Sequence, residues 1–146
     1  MENLVTGKDI IVIAKTYLGT PWKHQGRLKH KGIDCAGYIV KVMEELGLDI
    51  SFDLQGYERI PDGQKLAQIA HDNGKEVLLK DIKDGDVILF NILGNPQHLA
   101  FYYQENGINY ILHAYGDKSV NKVVAMRLDS KWKNRICGVY RINGVE

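Results

Sequence analysis

The sequence predicts an α+β fold in which N-terminal helices are followed by antiparallel strands. Apolar residues recur at spacings of three and four in the first half of the chain, and the spacing changes to two in the second half. Turn-forming pairs separate the alternating segments, and neither an internal repeat nor a linker composition divides the chain. We therefore expect one domain over residues 1–146.

Three helices are predicted before the strands. Thr6 and Asp9 have the spacing of a capping box at the start of the first helix. Asp34 is in the N-cap position of the second helix, and Gly47 marks its end. A loop is expected around "SFDLQGYERIPDG", and a short third helix in "QKLAQIAHDNG".

Five short strands are predicted after the helices. They lie in the segments "DVILFNI", "HLAFYYQ", "NYILHAY", "KVVAMRL" and "CGVYRI". Asn106 and Gly107 form the pair that favours a tight hairpin between the second and third of these strands. Such a hairpin places His98 and His113 roughly opposite one another, although fifteen residues separate them along the chain.

Composition and charge give no support for a nucleic-acid partner or for a membrane span. Nineteen basic and eighteen acidic side chains leave a formal net charge of +1, which gives no electrostatic case for a nucleic-acid partner. The basic stretch "KHQGRLKHK" is expected to be a solvated loop, with an anion site as the alternative. No signal peptide is visible and no apolar run reaches the length of a membrane span, so we expect cytoplasmic synthesis.

Cys35 is the first candidate for chemistry because it opens the second predicted helix. The unpaired N–H groups and the dipole of a helix N-terminus lower the pKa of a thiol, whereas Asp34 opposes this effect. We expect a lowered pKa for Cys35 and faster alkylation of Cys35 than of Cys137, which is predicted to be a small buried residue in an apolar strand. A free cysteine is also commonly buried, so a core role is the alternative for Cys35.

Two histidines complete a pattern typical of thiol catalysis. His98 begins one strand and His113 ends the next, so that a nucleophile, a base and an orienting group could meet. The other three histidines are expected at the surface. One cysteine and two histidines could also bind zinc, but the chain has no close Cys-x-x-Cys or His-x-x-x-His pair, and we expect no metal.

The ordered segments "YLGTPWKHQGR", "GIDCAGYIV", "IKDGDVILF", "HLAFYY" and "ILHAY" resemble the NlpC-type cell-wall peptidases, a papain-like family, and most of all its phage-encoded branch. The resemblance runs from Tyr17 to about Tyr115. It implies a papain-like fold with N-terminal helices packed on a five- to six-stranded antiparallel sheet. It also implies a thiol hydrolase that needs no cofactor and cuts peptide stems of peptidoglycan, commonly at the γ-D-glutamyl to diamino-acid bond.

The resemblance assigns a role to each of the three candidate residues. Cys35 would be the nucleophile, His98 the general base and acid, and His113 the polar group that orients His98. The backbone N–H of Cys35, at the helix start, is a natural donor to a tetrahedral oxyanion.

The resemblance also implies substrate contacts for Trp22, Asp34 and Ala36. The family often has tyrosine at the position of Trp22, and an indole N–H can donate a hydrogen bond but cannot accept one. It often has serine at the position of Ala36, so Asp34 would hold the free amine of the stem peptide alone. A plain N-cap is the alternative role of Asp34.

The implied partners are the peptidoglycan stem peptide and, for a phage or prophage protein, other tail proteins of the virion. Such a protein would be virion-associated and would act at the cell wall. Two alternatives stay open. One is a related papain-like amidase or acyltransferase that uses Cys35 and His98, and the other is a non-catalytic tail module that keeps the fold.

Overall fold

The computed structural model describes residues 4–48, 50, 64–92 and 95–146, and the loop expected around 51–63 lies outside them. The described helices are α1 (Gly7–Lys15), α2 (Cys35–Glu45), α3 (Gln64–Asn73) and α4 (Ser130–Lys133). The described strands are β1 (Arg27–Leu28), β2 (Gly32–Ile33), β3 (Gly74–Glu76), β4 (Val87–Ile92), β5 (Asn95–Glu105), β6 (Ile108–Tyr115), β7 (Lys122–Arg127) and β8 (Ile136–Ile142). The predicted α+β class is confirmed. None of the helices in this part of the chain is long and apolar enough to cross a membrane.

Six strands form one antiparallel sheet in the order β3-β8-β4-β5-β6-β7, and β1 pairs with β2 apart from it. Strand β5 therefore lies near the centre of the sheet. Its side chains alternate between two cores: Leu99, Phe101 and Tyr103 pack on the side of α1, α2 and α3, and Ala100 and Tyr102 pack on the side of α4. This alternation decides which face each histidine of the site occupies.

The two main helix starts form as predicted. Thr6 and Asp9 make both hydrogen bonds of a capping box, at 2.9 and 3.2 Å. Asp34 caps α2, and Gly47 ends that helix region in the left-handed conformation with φ +74°. Helix α1 ends at Lys15, and residues 16–19 form turns.

The hairpin of β5 and β6 also forms as predicted, at Asn106 (φ +53°) and Gly107 (φ +76°). Two successive positive φ values are those of a type I′ turn. The strands pair with Phe101 opposite Leu112. In this register His113 is level with residue 100, so His98 is its diagonal neighbour on the same face and not its direct opposite.

The prediction that Cys137 is a buried residue is wrong. Leu89 pairs with Gly138, whereas its neighbour Phe90 pairs with Ile136, so Cys137 is the extra residue of a β-bulge. The bulge turns Cys137 outward, and its side chain is exposed. Its Sγ lies 3.4 Å from the carbonyl oxygen of Leu89.

Candidate active site

Cys35 is the first residue of α2, and its side chain is partly exposed while it packs against the edge of the helix-side core. The backbone N–H groups of Leu99 and Ala36 lie close enough to the sulfur to favour its charged form. Leu99 directly follows His98 on β5. The structure therefore places the start of α2 against the start of the strand that carries His98.

Asp34 holds the start of α2 in place through several hydrogen bonds. Its Oδ1 accepts from the backbone N–H of Gly37 at 2.8 Å and from Nη1 of Arg27 at 3.0 Å. Its Oδ2 accepts from the backbone N–H of Gln25 at 2.8 Å. Asp34 is only 3% exposed, and its charge is compensated by Arg27. This geometry favours the N-cap role over capture of a substrate amine.

The basic stretch of residues 23–31 folds back on the helices and is more than a solvated loop. Arg27 belongs to the Asp34 network, and the ammonium of Lys29 lies 3.3 Å from the carboxylate of Glu45 and 4.5 Å from the ring centre of Tyr17. These contacts tie the segment before Cys35 to the start and the end of α2 and to the turn that follows α1. Sequence reasoning missed the partnership of Arg27 with Asp34, because the two residues meet only through the β1–β2 hairpin.

Gly37 allows this segment to approach α2 closely. A Cβ on Gly37 would lie against the carbonyl oxygen of Gly26 and 2.6 Å from Nη1 of Arg27. Both contacts are shorter than a carbon atom tolerates, and the backbone of Gly26 cannot move away because it is itself packed on Gly32. The glycine two positions after Cys35 is therefore required by packing.

The two remaining residues expected at the substrate differ in their placement. The side chain of Ala36 is fully buried, at 0% exposure, so we leave it out of the site: its methyl group points into the helix-side core. Trp22 is half-buried, and its ring packs beside Gly116, where a Cβ would lie 2.7 Å from the indole. Its backbone bridges to Ile33, just before the Asp34 cap. Trp22 thus lies near the start of α2 and remains accessible.

His98 and His113 hydrogen-bond directly to each other. The distance from His98 Nε2 to His113 Nδ1 is 2.7 Å, and the side chains are 5% and 0% exposed. This bond leaves Nδ1 of His98 as the ring nitrogen available for proton transfer. Among the buried side-chain polar atoms of the described residues, Nε2 of His113 has no hydrogen-bond partner.

Aromatic rings surround the histidine pair on the α4 side of the sheet. The ring of Tyr115 stacks on His113 at 5.0 Å, and the ring of Trp132 lies at 5.2 Å from His113 and 5.9 Å from His98. Phe90 lies 6.1 Å from His98. Trp132 was missed by sequence reasoning, because α4 has only four residues and offers no periodic pattern.

Burial keeps these groups uncharged. It raises the pKa of Cys35 to about 12, assisted by the charge of Asp34 and opposed by the N–H groups of Leu99 and Ala36 and by Arg27. It lowers the pKa of His98 to about 4. It also lowers the pKa of His113 to about 2, with a smaller contribution from His98. The prediction of a lowered pKa for Cys35 is therefore wrong: burial and Asp34 outweigh the helix N-terminus, and at neutral pH the free protein holds a thiol at position 35 and a neutral imidazole at position 98.

The labelling order expected from the sequence is accordingly reversed. With a raised pKa, the thiolate of Cys35 is scarce below its pKa and grows tenfold for each unit of rising pH. We expect iodoacetamide to modify the exposed Cys137 faster than Cys35 at pH 7, and the Cys35 rate to keep rising beyond pH 9. Mass spectrometry of tryptic peptides over a pH series measures both rates. A Cys35 rate that levels off below pH 7 would contradict the raised pKa of Cys35.

The arrangement can supply nucleophilic and acid–base chemistry. A sulfur at a helix start, a neutral imidazole on the adjacent strand and a second imidazole behind it are the parts of a thiol hydrolase site. No cluster of three or more potential metal ligands occurs in the described ranges.

Several known proteins are similar to this chain in sequence or in fold. The NlpC/P60 family profile matches residues 19–141. An Escherichia coli K12 protein named Murein DD-endopeptidase MepS/Murein LD-carboxypeptidase is 27% identical over 139 residues, which are 92% of this chain and 64% of that protein. The chain thus spans less than two thirds of the length of this relative.

Solved structures agree with the family profile in fold. An NlpC/P60 family protein from Bacillus cereus has a TM-score of 0.70 at 22% identity, over 96% of this chain and 41% of that one. RipD from Mycobacterium tuberculosis, described as a non-catalytic NlpC/p60 domain protein adapted to peptidoglycan binding, has a TM-score of 0.59 at 18% identity, over 92% and 95% of the two chains. Because the family profile covers most of the chain, and the fold agrees with it, the chain belongs to the NlpC/P60 family.

Proposed function

We propose that this protein is a cysteine peptidase that hydrolyses peptide stems of bacterial peptidoglycan. The observation that supports this most is the His98–His113 hydrogen bond, because His98 directly precedes Leu99, whose backbone N–H acts on the pKa of the Cys35 sulfur. A non-catalytic member of the family needs neither a thiol at a helix start nor a paired base. Here all three groups are present, and the base is neutral at physiological pH.

In the proposed mechanism, His98 takes the thiol proton on Nδ1 as the sulfur of Cys35 attacks the scissile carbonyl carbon. The oxyanion forms beside the backbone N–H of Cys35. The tetrahedral intermediate then collapses to a thioester, and His98 returns the proton to the leaving amine. Water, deprotonated by His98, hydrolyses the thioester and regenerates the thiol. Because Cys35 and His98 start uncharged, the thiol proton moves to His98 before the carbon–sulfur bond forms or as it forms.

His113 orients His98 in this scheme. Its Nδ1 accepts the Nε2–H of His98, which fixes the imidazole plane and supports the positive charge that His98 acquires during the attack. Trp22, half-buried near the start of α2, is the side chain that we propose to contact the substrate. Asp34 acts through the position of Cys35, because its oxygens are already engaged by Gly37, Gln25 and Arg27.

We also propose the γ-D-glutamyl to diamino-acid bond as the bond cut, on the strength of the family resemblance. The E. coli relative is named for two other cleavages, so the products distinguish the possibilities. The same resemblance supports a phage or prophage origin, action as a single domain over residues 1–146, and association with a virion and its tail proteins. Detection of the chain in purified phage particles tests that association.

Digestion of purified peptidoglycan gives the direct test of the proposed function. We expect the protein to release stem fragments whose masses correspond to addition of one water across the γ-D-glutamyl bond, as measured by liquid chromatography and mass spectrometry. Release of free D-alanine or of D-alanyl cross-link fragments would reassign the bond but keep the reaction class. Free stems separated from the glycan at the lactyl amide would support the amidase alternative, and binding to sacculi without any product would support the non-catalytic one.

A further inference from the structure

His113 has a buried nitrogen for which the described residues provide no ordinary partner. The side chain is 0% exposed, and Nδ1 is engaged by His98 at 2.7 Å. The other ring nitrogen, Nε2, has no hydrogen-bond partner. An imidazole nitrogen buried in this way costs free energy unless some other group stabilises it.

The tautomer of His113 matters for the proposed reaction. In one tautomer the proton is on Nε2, so Nδ1 accepts from His98 Nε2–H and Nδ1 of His98 is a free base. In the other, His113 Nδ1–H donates to His98 Nε2, and His98 carries its proton on Nδ1, where it cannot accept one from a thiol. Nε2 of His113 lacks an ordinary partner in both tautomers, so a group that stabilises its N–H favours the productive one.

The indole of Trp132 lies where it can stabilise that N–H. Its ring centre is 5.2 Å from that of His113, with the planes 84° apart. A perpendicular pair at this distance allows an N–H on the edge of one ring to point at the face of the other. Tyr115 cannot serve in this way, because its ring is stacked nearly parallel on His113, 11° from coplanar orientation.

The position of Trp132 is itself well defined. The side chain is 6% exposed and packs edge-on against Phe90 at 5.1 Å. Its backbone N–H donates to the Asp129 carboxylate, which caps α4. The guanidinium of Arg135 lies 5.3 Å from the ring centre. These contacts hold the indole from several sides, as a positioning role requires.

We propose that Trp132 is a positioning residue of the site: its ring face accepts the Nε2–H of His113 and thereby selects the tautomer that leaves Nδ1 of His98 free as the base. The catalytic consequence rests on the proposed function, whereas the tautomer does not. Trp132 touches neither the substrate nor the sulfur in this scheme, and it sets the tautomer through His113.

Nitrogen NMR of the histidine side chains tests this assignment without any substrate. In the ¹⁵N-labelled wild-type protein near pH 7, we expect His113 to be protonated on Nε2, with the attached proton shifted upfield by the indole ring current. Trp132→Phe, which keeps an aromatic face, should retain the Nε2–H tautomer. Trp132→Leu should give a mixture of tautomers and a roughly three- to tenfold loss of kcat with little change in KM.

Leu128→Ala is the matched control, because Leu128 is buried in the same α4-side core as Trp132. It should lower the stability of the protein and leave the His113 tautomer and kcat unchanged. Protonation of His113 on Nδ1, or an Nε2–H resonance without an upfield shift, would overturn the proposal in the wild-type protein alone. A wild-type protein inactive on peptidoglycan with the expected resonances would instead refute the proposed function and keep the Trp132 contact.

Discussion

Replacing Cys35 with alanine is expected to abolish hydrolysis of purified peptidoglycan while the protein stays folded. The sulfur is the only group at the start of α2 that can form the covalent intermediate, so its removal should cost roughly four orders of magnitude or more in turnover. The fold should tolerate the change because Cys35 is partly exposed. The helix start is held by Asp34 and Gly37, which the substitution leaves in place. Release of soluble muropeptides and circular dichroism measure the two effects.

Cys137→Ala is the matched control for the loss of a thiol. Cys137 is exposed in the β8 bulge, and its substitution should leave turnover within about twofold of the wild-type rate. Undiminished turnover by Cys35→Ala would end the cysteine-peptidase interpretation, whatever the fold. Inactivity of both variants would point to a general loss of structure, which the dichroism spectrum then has to show.

Replacing His98 with alanine is expected to lower kcat by roughly two to four orders of magnitude, because proton transfer to and from the reacting groups is lost. His113→Asn should cost much less. An asparagine carbonyl at position 113 can still accept the Nε2–H of His98, which keeps the orientation of the imidazole. Steady-state rates on muropeptides of defined structure measure both effects.

His71→Ala is the control for histidine loss, since His71 is exposed on α3. Its rate should match that of the wild-type protein. If His113→Asn were as damaging as His98→Ala, the assignment of base and orienting group would have to be exchanged. If neither variant lost activity, the histidine pair would be structural.

The parts of the fold that depend on local signals could be predicted from the sequence. The capping box of Thr6 and Asp9, the Asp34 cap and the Asn106-Gly107 turn each involve residues within a few positions of one another. The hairpin in turn brings the two histidines close. Its two-residue turn also sets the strand register, which makes the histidines diagonal neighbours.

The parts that depend on contacts between distant segments could not be predicted. Cys137 looks like a core residue in an apolar strand, and only the pairing of β8 with β4 reveals the bulge that exposes it. Burial, nearby charges and backbone N–H groups all act on the pKa of Cys35. The sequence shows that these groups exist, but not how strongly each of them shifts the pKa. Trp132 joins the site only because α4 packs on the face of the sheet that carries the histidines.

A crystal structure of the Cys35→Ala variant with an uncleaved stem peptide tests the central claim most directly. The variant should bind the peptide but not turn it over. The proposed mechanism predicts that the scissile carbonyl carbon lies next to the Cβ of residue 35, with its oxygen within hydrogen-bond distance of the backbone N–H of the same residue. The imidazole of His98 should face the leaving nitrogen. A peptide bound with its carbonyl groups away from residue 35 would contradict the assignment of Cys35 as the nucleophile.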